Sequence, residues 1–446
     1  MVLVSRSSAR RGAALALAGL AAAALPSHAG NYSVHVLGTA EASWTDNLFA
    51  VPDDSADPLP PHESDVLIRF RPGVLTTYET PRTIHNVEYT LDANLYLDHT
   101  EARSIGHNLI ARGFYLTSPR SEVQTSLGIS TGMLAALSTR QTPSEGQPVA
   151  RGSGNGEFWS IDASQGLNYA ATRDLRVTQG LQVHRLSSTD ALGAETHGTD
   201  LGASLGVDRG WRQSALAVQT GARYVILTQG LTDNRSIHSS LAVSFRRDLS
   251  RRWSSLADAG VAWIAPIDED AHTVQPTFGL NLSYAPEWGA AGFQVRRALA
   301  PNLYLAENTI TDTAIANASL PLPWLTDDPN LPTLTVGGVL GAGRSQVIRG
   351  DVIASTVNVV FGDLAVTYAP RGDLTFVVRA QHQRQIPGES TTMMAALEYD
   401  RTTVITSVAW RFPERLAADI PMRDSLRVDR RDNTPVGEEA RPERER

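Results

Sequence analysis

The stretch Arg401 to Phe412 (RTTVITSVAWRF) separates cleanly by parity. Thr402, Val404, Thr406, Val408, Trp410 and Phe412 fall on one face, and Arg401, Thr403, Ser407 and Arg411 dominate the other. Side chains on a strand alternate with a period of two, so one face is apolar with an aromatic foot and the other is polar. A strand with lipid on one side and water on the other needs this pattern.

The pattern recurs along the chain. In Ser214 to Thr228, Leu216, Val218, Tyr224 and Ile226 oppose Gln219 and Arg223, with Gln213 just before. In Gln275 to Tyr284, Phe278, Leu280, Leu282 and Tyr284 oppose Gln275, Thr277, Asn281 and Ser283. Leu374, Phe376 and Val378 oppose Thr375, Arg379, Gln381 and Gln383, while an acidic line of Glu88, Asp92 and Asp98 opposes Val87, Leu91, Leu95 and Leu97. Short breaks with turn residues (Thr80-Pro81-Arg82, Ser118-Pro119-Arg120, Arg173-Asp174, Asp208-Arg209-Gly210, Asp248-Leu249-Ser250, Ala285-Pro286-Glu287, Ala369 to Gly372) broadly alternate with longer polar ones (Asp46 to Ser64, Ser138 to Asn155, Ser187 to Asp200, Ile267 to Ala271, Ile386 to Ser390). Tight turns at one rim and looser loops at the other predict an all-β, transmembrane, antiparallel up-and-down β-barrel. Pro321 to Pro332 is an exception, long where a short turn is due. Dividing Gly30 to Phe412 by about 21 residues per strand and connection gives roughly 18 strands, with about 16 left open.

Aromatic residues gather beside the short breaks: Tyr78, Tyr169, Trp211, Trp253, Tyr284, Trp288, Tyr368, Trp410 and Phe412. Amphipathic rings favour the headgroup level, so this set predicts a membrane-interface girdle at the inner rim. The alternative is aromatic packing at strand ends of a soluble sandwich.

The ends of the chain fit an exported barrel. Arg6, Arg10 and Arg11 precede a short apolar run, Gly12 to Leu25, and Ser27-His28-Ala29 has the small-x-small form of a cleavage site, so residues 1–29 are expected to be a signal peptide. An uncleaved membrane helix is the competing reading, against which the run is short and ends at Pro26. Residues 30–412 form the expected barrel, and 413–446, charged and closing in PERER, are expected to be a disordered periplasmic tail. A docking arm is the other role open to that tail.

Composition excludes several classes. With no cysteine, there is no disulfide framework, thiolate metal site or lipidated N-terminal Cys. The net charge of -8, with no basic block, argues against a nucleic-acid partner. Every basic side chain is Arg, which codon bias explains as well as any role for guanidinium groups. No catalytic or metal motif stands out, so no enzyme activity and no cofactor are expected. A Ser/His lipid hydrolase near His99 and His107 stays open, and the acidic group Asp46, Asp53, Asp54 and Asp57 offers oxygens to Ca²⁺, although solvated loop charges are the simpler reading.

The expected pore lining mixes signs. Glu88, Asp92, Asp98 and Asp363 face Arg69, Arg71, Arg112, Arg223, Arg296 and Arg379, with Tyr96 and Gln381 as hydrogen-bonding partners for a hydroxyl-rich solute. The charges serve either a selective constriction or pairing along the wall.

Glu41 to Asp54 (EASWTDNLFAVPDD), the strand from Asp65 into Pro72-Gly73, and the ending Tyr399-Asp400-Arg401 to Trp410-Arg411-Phe412 resemble the outer-membrane β-barrel proteins associated with exopolysaccharide loci in Gram-negative bacteria. The long tail after Phe412 departs from a barrel that ends on its terminal aromatic. The resemblance implies an outer-membrane conduit for exopolysaccharide working with a periplasmic export protein. A general diffusion porin for small hydrophilic solutes is the alternative, with an outer-membrane enzyme or adhesion scaffold further off. The expected protein is monomeric and embedded in outer-membrane lipid. A TonB-dependent receptor of 22 strands plus a plug needs a longer chain.

Overall fold

The computed structural model describes residues 30–48, 63–100, 103–133, 157–189, 195–229, 232–267, 272–286, 288–302, 307–322, 333–349, 352–371, 373–388 and 398–412. The expected signal peptide, the charged tail and the acidic residues Asp53, Asp54 and Asp57 lie outside the described residues.

Eighteen strands follow one another. They are β1 (Asn31–Thr45), β2 (Asp65–Glu79), β3 (Thr83–Tyr96), β4 (Ser104–Ser118), β5 (Ser121–Met133), β6 (Glu157–Ala170), β7 (Leu175–Thr189), β8 (Glu195–Gly210) and β9 (Ser214–Gln229). The second half holds β10 (Thr232–Asp248), β11 (Trp253–Pro266), β12 (Thr273–Tyr284), β13 (Ala290–Asn302), β14 (Glu307–Pro321), β15 (Thr333–Arg349), β16 (Val352–Arg371), β17 (Leu374–Pro387) and β18 (Tyr399–Phe412). Each pairs antiparallel with its chain neighbours, and β18 pairs with β1, so the sheet closes into an up-and-down barrel. Closure is the physical requirement in lipid, where an unpaired edge group has no water to turn to.

An even strand count brings both ends of the described chain to one rim. That inner rim holds the tight connections 80–82, 119–120 and 211–213, whereas the outer rim holds 46–64, 134–156 and 388–398. The long inner break expected from Pro321 to Pro332 lies between the end of β14 and Thr333 at the start of β15, and past Leu322 it is outside the described residues. Two outer connections, 230–231 and 350–351, are as short as the inner turns. The break expected from Ser187 to Asp200 shrinks to 190–194, because β7 and β8 keep pairing as far as Thr189 and Glu195. Pairing needs only backbone groups, so loss of an apolar face does not end a strand.

Two tiers of outward rings bracket the wall. Trp253 stacks on Tyr284 at 4.5 Å, Tyr284 meets Trp288 edge-on, and Tyr368 stacks on Phe376, all near the inner rim. Trp410 lies against Phe70 at 6.0 Å, and Phe412 is 71% exposed. Ten residues further along β11 comes Trp263, and ten residues separate Trp159 from Tyr169 on β6. At about 2.5 Å of vertical rise per tilted residue, ten residues climb about 25 Å, the height of an apolar band. The upper tier of Trp44, Trp159 and Trp263 escaped the sequence reading, although the ten-residue spacing was there to be found.

Candidate functional site: the barrel lumen

Register sorts the expected lining residues. Glu41 on β1 lies opposite Arg69 on β2, which lies opposite Asn94 on β3, and all three point inward. Arg69 Nη1 contacts Glu41 Oε1 at 3.0 Å, its Nε donates to Asn94 Oδ1 at 2.7 Å, and Asp92 lies 3.5 Å from Arg69 and 3.3 Å from Arg71. Arg69 and Asp92 are buried to 3% and 1% exposure, so these charges neutralise one another along the wall. Arg379 pairs with Asp363 on the neighbouring strand, and Gln381 donates to the same carboxylate at 2.8 Å. Arg223 reaches Asp200 at 3.3 Å. Tyr96 is buried near Leu67 and Leu48.

Other members behave differently. Arg112 and Arg296 point inward, are exposed and hold no ion pair among the described residues. Glu88 lies inward opposite Leu75 and Ile110, also without an ion pair among the described residues. Asp98 lies off the wall, past the end of β3, in the outer connection. There Asp65 accepts from the backbone N–H groups of Asp98 and His99, and its Oδ2 lies 2.9 Å from His99 Nδ1, while Glu63 holds the other ring nitrogen. Burial works against a charge on His99, but the two carboxylates outweigh it and raise its pKa above the ordinary 6.5.

The open space is lopsided. A cavity of about 1450 Å³ is bounded by the inner faces of β3 to β13. Along one register row its wall reads Gly166, Gly180, Ser204, Gly221, Ser240, Ala262, residues too small to fill the lumen. On the other side Phe361, Val357 and Val359 are buried inward with Ile315 and Val339, and Gly341 leaves room for the Phe361 ring. The cavity reaches the inner rim at Thr80-Pro81-Arg82. Towards the outer rim the inward residues Leu67, Leu186, Val225, Leu227, Ile264 and Tyr399 are buried, so that end of the lumen is packed.

His107 points outward and meets Tyr89 Oη at 2.8 Å, so it and His99 do not form the site considered from sequence. Instead, Ser187 Oγ lies 2.8 Å from His197 Nδ1, and His197 Nε2 lies 3.4 Å from Glu195, on the outward face beside Trp159. No group of three or more metal-ligating side chains occurs among the described residues.

No protein-family model matches the chain, and no characterised protein matches it by sequence. Solved structures match by fold. The FrpB iron transporter from Neisseria meningitidis (F5-1 variant) aligns with a TM-score of 0.50 and 8% identity over 86% of this chain and 83% of its own. Its F3-3 variant aligns at 0.49 and 10% identity, with this chain spanning about two thirds of that protein's length, 66%. A bacterial polysaccharide outer membrane secretin aligns at 0.37 and 10% identity, over 85% and 98%. At these identities the likeness is one of fold: the chain is a closed barrel of the outer-membrane type.

Proposed function

We propose that the protein is an outer-membrane channel that passes a hydrophilic polymer or solute, with exopolysaccharide export as its task and no covalent chemistry. The observation that carries this is the cavity itself: a space of mixed lining into which Arg, Gln, Asn and Ser side chains project, inside a wall whose outward face is apolar. A general diffusion porin needs a lumen open at both rims, whereas the packed outer end favours a conduit that opens for its cargo. Export also fits a periplasmic partner delivering a chain to the inner rim, where the cavity begins. Deletion of the gene is expected to abolish surface polysaccharide and leave small-sugar uptake unchanged. Normal surface polysaccharide with reduced sugar permeability would reject export and favour the porin.

One observation favours a second reading. Ser187, His197 and Glu195 line up on the lipid-facing surface at the level of the upper Trp tier, where ester bonds of the outer leaflet lie. A lipid hydrolase would be labelled by a fluorophosphonate probe at Ser187, and Ser187→Ala would lose the label. A channel without enzyme activity stays unlabelled.

A further inference from the structure

The barrel wall is not zipped along its whole height. The β12–β13 ladder runs only from Phe278↔Arg297 to Tyr284↔Ala291, while Thr273 to Thr277 and Ala298 to Asn302 continue as strands without pairing to each other. Both keep their other partners, β11 and β14. Each carries a proline in the unpaired part, Pro276 and Pro301, and a residue without an N–H belongs on a sheet edge. Two facing edges are therefore written into the sequence.

Beyond the split, the β13–β14 side leans across the lumen. His238 on β10 contacts the side chain of Asn308 on β14, although three strands separate them in the wall. Ile310, outward by register, is only 1% exposed. The cavity lining runs along β13 past the last paired residue, Arg297, to Ala298, Leu299 and Pro301, so it reaches the split. The outward-parity pair Arg297–Asp312, at 3.4 Å, lies beside it.

Height places the split within the membrane. Trp263 of the upper tier lies opposite Val274, so the run Val274 to Thr277, which makes no ladder with β13, sits at and just below that tier, at the outer leaflet. Open sheet edges are not tolerated against lipid unless they line a watery passage. We infer that the β12–β13 split is a lateral opening through which an amphiphile, with its polar head in the Arg-bearing cavity and its acyl chain past Leu299, Pro301 and Pro276, exchanges between lumen and outer leaflet. This goes beyond the conduit reading and stands or falls independently of the polysaccharide phenotype.

The test uses full-length protein in vesicles of phosphatidylglycerol with tritiated acyl chains. The chain has no cysteine, so Ala298→Cys, Ser126→Cys and Val218→Cys each take one benzophenone maleimide. Ala298 and Ser126 face inward, at the split and away from it, and Val218 faces lipid. Heat-modifiable gel mobility checks folding of each variant. The inference expects acyl labelling at Ala298 comparable to Val218 and none at Ser126. It also expects Thr277→Cys with Ala298→Cys, oxidised to a disulfide across the split, to exclude lipid from a probe at inward Gln294→Cys. Labelling at Val218 alone overturns it, as does equal labelling at Ala298 and Ser126, which would mean lipid enters by another route.

Discussion

Arg69 answers two acidic side chains at once, and removing its guanidinium takes from Glu41 its ion-pair partner at 3.0 Å and leaves the nearly inaccessible Asp92 with Arg71 alone of its two cations. Stripping one partner from a buried charge cluster costs about 3–5 kcal/mol. Arg69→Met is expected to lower the unfolding free energy of the barrel, read from urea titration, by an amount of that order. Arg112→Met, which removes an exposed cation with no ion pair among the described residues, should shift it by less than about 0.5 kcal/mol. His99 gives a pH dependence of definite sign. Its pKa is raised on folding by Asp65 and Glu63, so its contribution is fully present below 6.5 and is lost as pH rises through the higher folded value. The outer connection 97–103 should be cut faster by protease at about pH 9 than at about pH 6, and His99→Gln should remove that difference.

At the scale of elements, the β18–β1 junction decides whether the barrel closes. Phe412 pairs with Val36, and Trp410 lies over Gly38, where an added Cβ would fall 2.0 Å from the indole ring. Gly38→Val must push Trp410 off Phe70, at a cost of about 1–3 kcal/mol. Phe412→Asp places a charge at the interface, where the equilibrium cost is only about 0–1 kcal/mol, so its effect is expected in lower assembled levels rather than in the melting of barrels already formed. Truncation after Phe412 should leave assembly intact. Equal barrel levels for Phe412→Asp and wild type would argue against this register. The faces of β9, β12, β17 and β18 were legible because lipid and water impose opposite chemistry on alternate residues. Around β14 to β16 that logic fails: Val357, Val359 and Phe361 turn inward while Arg344 and Asn358 take the outward parity. Their surroundings are set by a wall that leans into the lumen, and no periodicity within one strand encodes a lean.

For the whole molecule, strand number and direction followed from counting alternating runs, since each crossing of a fixed thickness consumes a fixed length of chain. The mixed charges of the lumen were readable as residues but not as pairs. Whether Arg379 meets Asp363 while Arg296 stays without an ion pair among the described residues depends on register between strands, which short-range pattern leaves open. The packed outer end is likewise a property of the folded wall. That the barrel sits in lipid with alternate residues of its strands turned to lipid and to the lumen is open to a nitroxide scan along β9 of the cysteine-free chain in liposomes. Labels at Leu216, Val218, Thr220 and Ala222 should respond to oxygen, and labels at Ala217, Gln219, Gly221 and Arg223 to a water-soluble nickel chelate, with a period of two. Equal access of the chelate to both sets would contradict a membrane barrel and point to a soluble β-protein.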